Sequence, residues 1–319
     1  MKSFIFKTGL FILSLLALYV ATWHFVTPEK EELSNDFMAA MIDKHERSKK
    51  IGSPKIVIAG GSNIAFNIDS ERVQKELEIP VVNIGLNVGL GLNFMLEELK
   101  DVSDEGDTIF LFLTYFLDLD GNYALKKHTA KHYTTAQKYY PFDLKEEVII
   151  HTRDTRNHLR NKIVSVLLGN ITKTETEIKG DESIYTRYNF DKFGDFEGHH
   201  GLEPAADLDQ RLKFEYRYWK GIERLNTFTA WAEKNNIAAY YLFTAYPKTE
   251  FQKNRIVIKK FEDDLRKNSQ IKILGEPETF LFIEDYFFDT VYHLNKSGRK
   301  KRTTLFLELL ETNKPEFDS

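Results

Sequence analysis

Short apolar runs of strand length alternate with amphipathic stretches along most of this chain, and glycine or a helix-capping residue marks nearly every change of period. Ile56-Val57-Ile58 is a β-branched run closed by Gly60-Gly61. Val81-Val82-Asn83-Ile84 ends at Gly85, and the run from Thr108 to Tyr115 reads TIFLFLTY. Between them lie helical patterns: Val73 and Leu77 behind the cap Asp69-Ser70, then Leu92, Met95, Leu96 and Leu99. Strands without polar alternation are buried on both faces, and short helical crossovers join parallel neighbours. The expected fold is therefore α/β, a flavodoxin-like parallel sheet with helices on both faces.

From Leu117 to about Pro204 this rhythm lapses. The segment is rich in Tyr, His, Lys and Asp, holds one expected helix from Leu144 to Leu168, and leaves from the end of the third strand. It reads as an insertion over the C-terminal edge of the sheet, where lids and substrate walls arise. The rhythm then resumes with an expected helix from Asp207 to Lys234, whose apolar face would carry Leu212, Tyr216, Trp219, Leu225, Phe228 and Trp231. A fourth strand (Ile237 to Phe243), a helix (Ile256 to Arg266), a fifth strand (Ile271 to Leu274) and a closing helix (Lys296 to Leu310) follow.

The N-terminus follows a different pattern. Thr8 to Val26 is nearly all apolar, close to the roughly 20 residues that span a bilayer. Lys2 and Lys7 precede it and Glu29, Glu31 and Glu32 follow. The positive-inside tendency keeps the N-terminus in the cytoplasm and exports the rest. No small-x-small cleavage site follows the run, and Trp23-His24 suits a membrane interface, so an uncleaved anchor is expected. The expected layout is an anchor over 1–28, a stalk over 29–51 and an α/β domain over 52–319, single-pass in the cytoplasmic membrane with the domain outside.

Composition narrows the chemistry. At 319 residues and 42% hydrophobic the chain can build one large domain with insertions, or two smaller ones, and a net charge of −4 gives no reason to expect nucleic acid. The absence of cysteine excludes disulfides, thiolate-bound zinc and thiol catalysis. No metal is expected: His199-His200 lacks further ligands at fixed spacing and reads as loop. No cofactor is expected either, since Gly89-Leu90-Gly91 has Phe94 where a dinucleotide turn needs its third glycine, and no GKS/T follows.

What remains is a serine. Ser62 follows the first strand and its Ala59-Gly60-Gly61 turn, which puts its hydroxyl at the C-terminal edge of a parallel sheet beside backbone N–H groups that can stabilise an oxyanion. The competing reading is an ordinary helix N-cap. Asp289 and His293, between the last strand and the closing helix, can reach the same edge and supply the missing base.

Gly60-Gly61-Ser62-Asn63, then Asn83-Ile84-Gly85 with glycines to Gly91, then Asp289 and His293, in the chain order Ser, Asp, His, resemble the SGNH/GDSL-like hydrolase superfamily. The α/β-hydrolase elbow would instead want glycine where Ile64 stands. The match covers about 52–116 and 237–311. Its membrane-anchored layout is similar to the branch holding DltD-like and alginate-acetylation proteins. That resemblance implies Ser62 as nucleophile, His293 as base, Asp289 as its orienter, and Gly85 with the Ser62 N–H as oxyanion hole. It also implies an esterase or O-acyltransferase acting on an acylated cell-envelope glycan or polymer, beside a membrane-bound acyltransferase. Two places depart from the pattern. Asp289 and His293 stand one residue further apart than the usual Asp-x-x-His, and no Asn stands near Thr114-Tyr115, so Asn87 would supply the amide donor. A contrasting reading keeps the fold as a glycan- or partner-binding module, with Tyr139, Tyr140 and Tyr188 for sugar stacking.

Overall fold

The computed structural model describes residues 2–24, 35–167 and 184–315; parts of the expected anchor and stalk (25–34) and of the insertion (168–183) lie outside the described residues. The chain divides into two compact units, 1–35 with 143–182, and 36–142 with 183–319. The smaller unit holds α1 (Lys2–His24) and α7 (Leu144–Leu167), with the Tyr19 hydroxyl 2.8 Å from His151 Nε2. Among the described residues no helix is long and apolar enough to cross a membrane.

The larger unit is built on a five-stranded, wholly parallel sheet. Its strands are β1 (Ile56–Gly60), β2 (Val81–Asn83), β3 (Thr108–Leu113), β4 (Ala238–Phe243) and β6 (Lys272–Leu274), in the order β2-β1-β3-β4-β6. A parallel pair of two-residue strands, β5 (Tyr246–Pro247) and β7 (Leu281–Phe282), lies outside it. Every residue of β1 and β3 is buried, as their unbroken apolar runs require. Phe110 and Phe112 of β3 meet Phe306 edge-on at 5.2 and 5.4 Å, which seats the closing helix α10 (Lys296–Asn313) against the sheet. The order reverses at β1, because β2 lies on one side of it and β3 on the other. The crevice outside the C-terminal ends of β1 and β3 is thus a topological switch point, where open α/β sheets bind ligands.

Four expectations are corrected. The helix expected from Asp207 runs only as α8 (Gly221–Lys234), because residues 207–220 find their partners elsewhere. Asp209 N–H donates to the Asp289 carbonyl at 2.8 Å, Phe214 N–H to Asn254 Oδ1 at 2.7 Å, and the Trp219 indole to the Leu117 carbonyl at 2.8 Å. Leu212 and Tyr216 are left exposed. The expected stalk is partly body: α2 (Ala40–Ile51) buries Met41, Lys44 and His45. Lys44 Nζ donates to the Asn83 carbonyl at 3.0 Å, and His45 Nε2 lies 3.0 Å from Glu98. Nor is the insertion one block. Its helix α7 belongs to the smaller unit, while α6 (Tyr123–His132) and residues 184–204 belong to the larger one. There Ala136 and Tyr139 share a buried cluster with Met38, Leu86 and Phe94. The helix expected over Ile256–Arg266 is α9 (Lys248–Asn268), extended at both ends.

Candidate active site

Ser62 opens the short helix α3 (Ser62–Ala65) directly after β1, and its side chain is partly open to solvent. The turn that presents it is locked from within. Asn63 is fully buried; its Oδ1 accepts from Gly61 N–H at 2.9 Å, and its Nδ2 donates to the Phe112 carbonyl at 3.0 Å and to Thr244 Oγ1 at 3.2 Å. One amide thereby ties the serine turn to the ends of β3 and β4. The loop after β2 closes against it, so tightly that a Cβ on Gly61 would stand 2.2 Å from Val88 Cγ1 and 2.8 Å from Val88 N.

Asp289 and His293 arrive from the loop before α10. Residues 290–293 form a turn in which the Thr290 hydroxyl accepts from Tyr292 N–H at 3.1 Å and His293 N–H at 3.2 Å. This compact path brings the two side chains to one side despite the longer spacing. His293 Nδ1 lies 2.8 Å from Asp289 Oδ1, and its Nε2 lies 2.9 Å from Ser62 Oγ. The expected turn conformation and both expected contacts are therefore present. Asn67, one turn beyond Ser62, clasps the loop on both sides of His293: it donates to the Tyr292 carbonyl at 2.8 Å and accepts from Leu294 N–H at 2.7 Å. Phe66 stacks on the imidazole with centroids 4.0 Å apart and planes 9° from parallel. The ring can neither tilt nor slide freely.

The second oxygen of Asp289 is also engaged, by the Tyr185 hydroxyl, which donates to Oδ2. Burial alone would raise the Asp289 carboxyl, but His293 and Tyr185 outweigh it and hold it below its ordinary value. Burial and that carboxylate together push the Tyr185 phenol well up, so it stays a donor. An ionised Asp289 can only accept, so Nδ1 donates to it, and in a neutral imidazole Nε2 can then accept from the Ser62 hydroxyl. This is the arrangement that activates a serine nucleophile.

The expected oxyanion residues are placed less simply. Gly85 N–H already donates to Asn83 Oδ1 at 2.9 Å, and Asn87 Oδ1 accepts from Gly89 N–H at 2.8 Å, which leaves the Asn87 Nδ2 group as a donor. Ser62 N–H heads α3, where helical N–H groups have no partner within the helix. No family model and no curated protein matches the chain.

Sequence reasoning overlooked Asn63, Asn67, Phe66 and Tyr185 as parts of the site. Asn63 and Asn67 carried a faint signal, as polar residues in an otherwise apolar stretch from Ile56 to Ile68 that must find buried partners. Tyr185, among the tyrosines of the insertion, carried none.

Proposed function

We propose that this chain is a serine ester hydrolase or O-acyltransferase of SGNH type, in which Ser62 attacks an acyl carbon, His293 takes its proton, and Asp289 orients and charge-balances the imidazole. The observation that carries this is the continuous chain Asp289–His293–Ser62, with both contacts within 2.9 Å. The flavodoxin-like strand order supports it by placing Ser62 at the switch point. The oxyanion would be held by Ser62 N–H and the Asn87 amide, with Gly85 N–H joining if Asn83 released it.

In this reading the substrate is an acylated cell-envelope glycan or polymer and the chain works at the cytoplasmic membrane, with its larger unit outside and a membrane-bound acyltransferase as neighbour. The apolar run Thr8–Val26 behind Lys2 and Lys7 supports that placement. No cofactor enters the reaction. Turnover of p-nitrophenyl acetate by the full chain, with Ser62→Ala as control, tests the chemistry. Loss of turnover in a variant that melts like the wild type is expected, and equal turnover would overturn the reading. The engaged Gly85 N–H favours a second reading, a binding module that keeps the fold without turnover; a wild type that binds acylated glycan yet never cleaves or transfers the acyl group would establish it.

A further inference from the structure

Asp36, His128 and His132 bring three metal-ligating groups together in a part of the larger unit that the ester chemistry does not use. His128 and His132 stand four residues apart on α6, so both rings leave one face of the helix. Asp36 precedes the helical turn Phe37–Ala39, and its Oδ1 accepts from Met38 N–H at 2.8 Å, which fixes the carboxylate in place. Asp36 Oδ2 lies 2.9 Å from His128 Nε2, Asp36 Oδ1 lies 3.5 Å from His132 Nε2, and the two Nε2 atoms are 3.4 Å apart. Two ligands about 2.0–2.1 Å from one zinc at a tetrahedral angle stand about 3.3–3.4 Å apart. The two Nε2 atoms stand at that separation, and the carboxylate meets them through different oxygens, Oδ2 at 2.9 Å from His128 and Oδ1 at 3.5 Å from His132. Two imidazole nitrogens and a carboxylate oxygen also suit a borderline cation better than calcium or magnesium, which take oxygen ligands.

We propose that Asp36, His128 and His132 bind one zinc ion, with water in the fourth position. The His132 side chain is only 2% exposed, whereas 39% of the His128 and 30% of the Asp36 side chain is exposed, so one side of the cluster is open to solvent. The ion joins α6 to the segment leading into α2. Its neighbour Phe37 packs on Phe190 at 4.9 Å and edge-on to Tyr185 at 5.8 Å, and Tyr185 donates to Asp289. The ion therefore stiffens the wall from which that tyrosine reaches the serine site. The proposal stands whether or not Ser62 is a nucleophile.

The test is zinc retention by the full chain without a histidine tag, stripped with chelator and dialysed against buffered zinc chloride. One equivalent by elemental analysis is expected in the wild type, with cobalt(II) in its place giving the strong visible bands of a four-coordinate ion. His128→Ala should bind more than about a hundredfold more weakly, since even an outer-shell change costs 10–100-fold. Asp36→Asn should also bind more weakly while keeping the cap on Met38, because asparagine caps as well as aspartate. Zinc should raise the melting temperature of the wild type and leave that of His128→Ala unchanged. A wild type that retains no zinc, or a folded His128→Ala that retains as much, would overturn the proposal.

Discussion

At the scale of single residues, the three members of the Asp289–His293–Ser62 chain were legible and their supports were not. Ser62 stands out as a polar residue just past a buried strand, and Asp289 with His293 as a polar pair ahead of the closing helix; the structure joins the three in one hydrogen-bonded chain. Tyr185 and Asn67 act through contacts across 104 and 225 residues of sequence, which no local pattern encodes. Tyr185→Phe removes a hydrogen bond to a charged carboxylate, worth about 1.5 kcal/mol or more. If all of that is felt in the transition state, kcat falls roughly tenfold while KM holds; a shift in KM alone would assign the tyrosine to substrate binding. Asn67→Ala leaves the Tyr292 carbonyl and Leu294 N–H unpaired in a buried site, a cost of about 2–4 kcal/mol. The melting temperature should drop by several degrees and ester turnover with it. An unchanged melting curve would show that the clasp is not needed to hold the histidine loop.

At the scale of elements, strands were read more faithfully than helices. An unbroken apolar run such as Thr108–Leu113 has few alternatives to a buried strand, so β1 to β4 fall within a residue or two of expectation. The apolar spacing of Leu212, Tyr216 and Trp219 suggested a helix, yet the carbonyls and N–H groups of 207–220 pair with Asp289, Val291 and Asn254 instead. Tertiary hydrogen bonds outweighed a weak local preference. The same competition explains the stalk, since nothing local reveals that Lys44 buries its amine on the end of β2. The serine turn and the loop after β2 act as one element because no side chain separates them. Gly61 has an ordinary φ of −88°, so Gly61→Ala tests space and not backbone strain. Its methyl group must push Val88 away, at about 1–3 kcal/mol by the usual cost of overpacking, and should lower turnover by moving Asn87. Full activity with unchanged stability would mean that the loop is free to shift.

At the scale of the whole molecule, one buried and one half-buried histidine link stability to pH. Burial, aided by the nearby His200 and Arg299, pushes His199 down to about 3 from an ordinary 6.5; burial, with Arg299 and Lys296, pushes His200 down to about 4. The folded protein keeps both neutral, while the unfolded chain takes up their protons below about pH 6.5. Unfolding is therefore favoured as pH falls from about 6.5, by up to about 1.4 kcal/mol per pH unit for each group. The melting temperature should decline over that range, and His199→Phe, which keeps the ring stacked on Phe196 and tilted against Phe66 and Phe288, should decline less steeply. Parallel declines in both proteins would exclude His199 as a cause. The α/β class, the parallel sheet and the edge that carries the serine were all legible in the sequence, because they follow from period and order. The two-unit division and the packing of residues 36–51 into the body depend on contacts distant in the chain, and were not.

The central claim is that Ser62 is an activated nucleophile, and the intact mass of the full chain after exposure to a fluorophosphonate tests it most directly. One covalent adduct is expected, carried by the peptide containing Ser62, absent in Ser62→Ala and formed far more slowly in His293→Ala. A wild type that stays unmodified, or a Ser62→Ala variant that is labelled as fast, would contradict the claim.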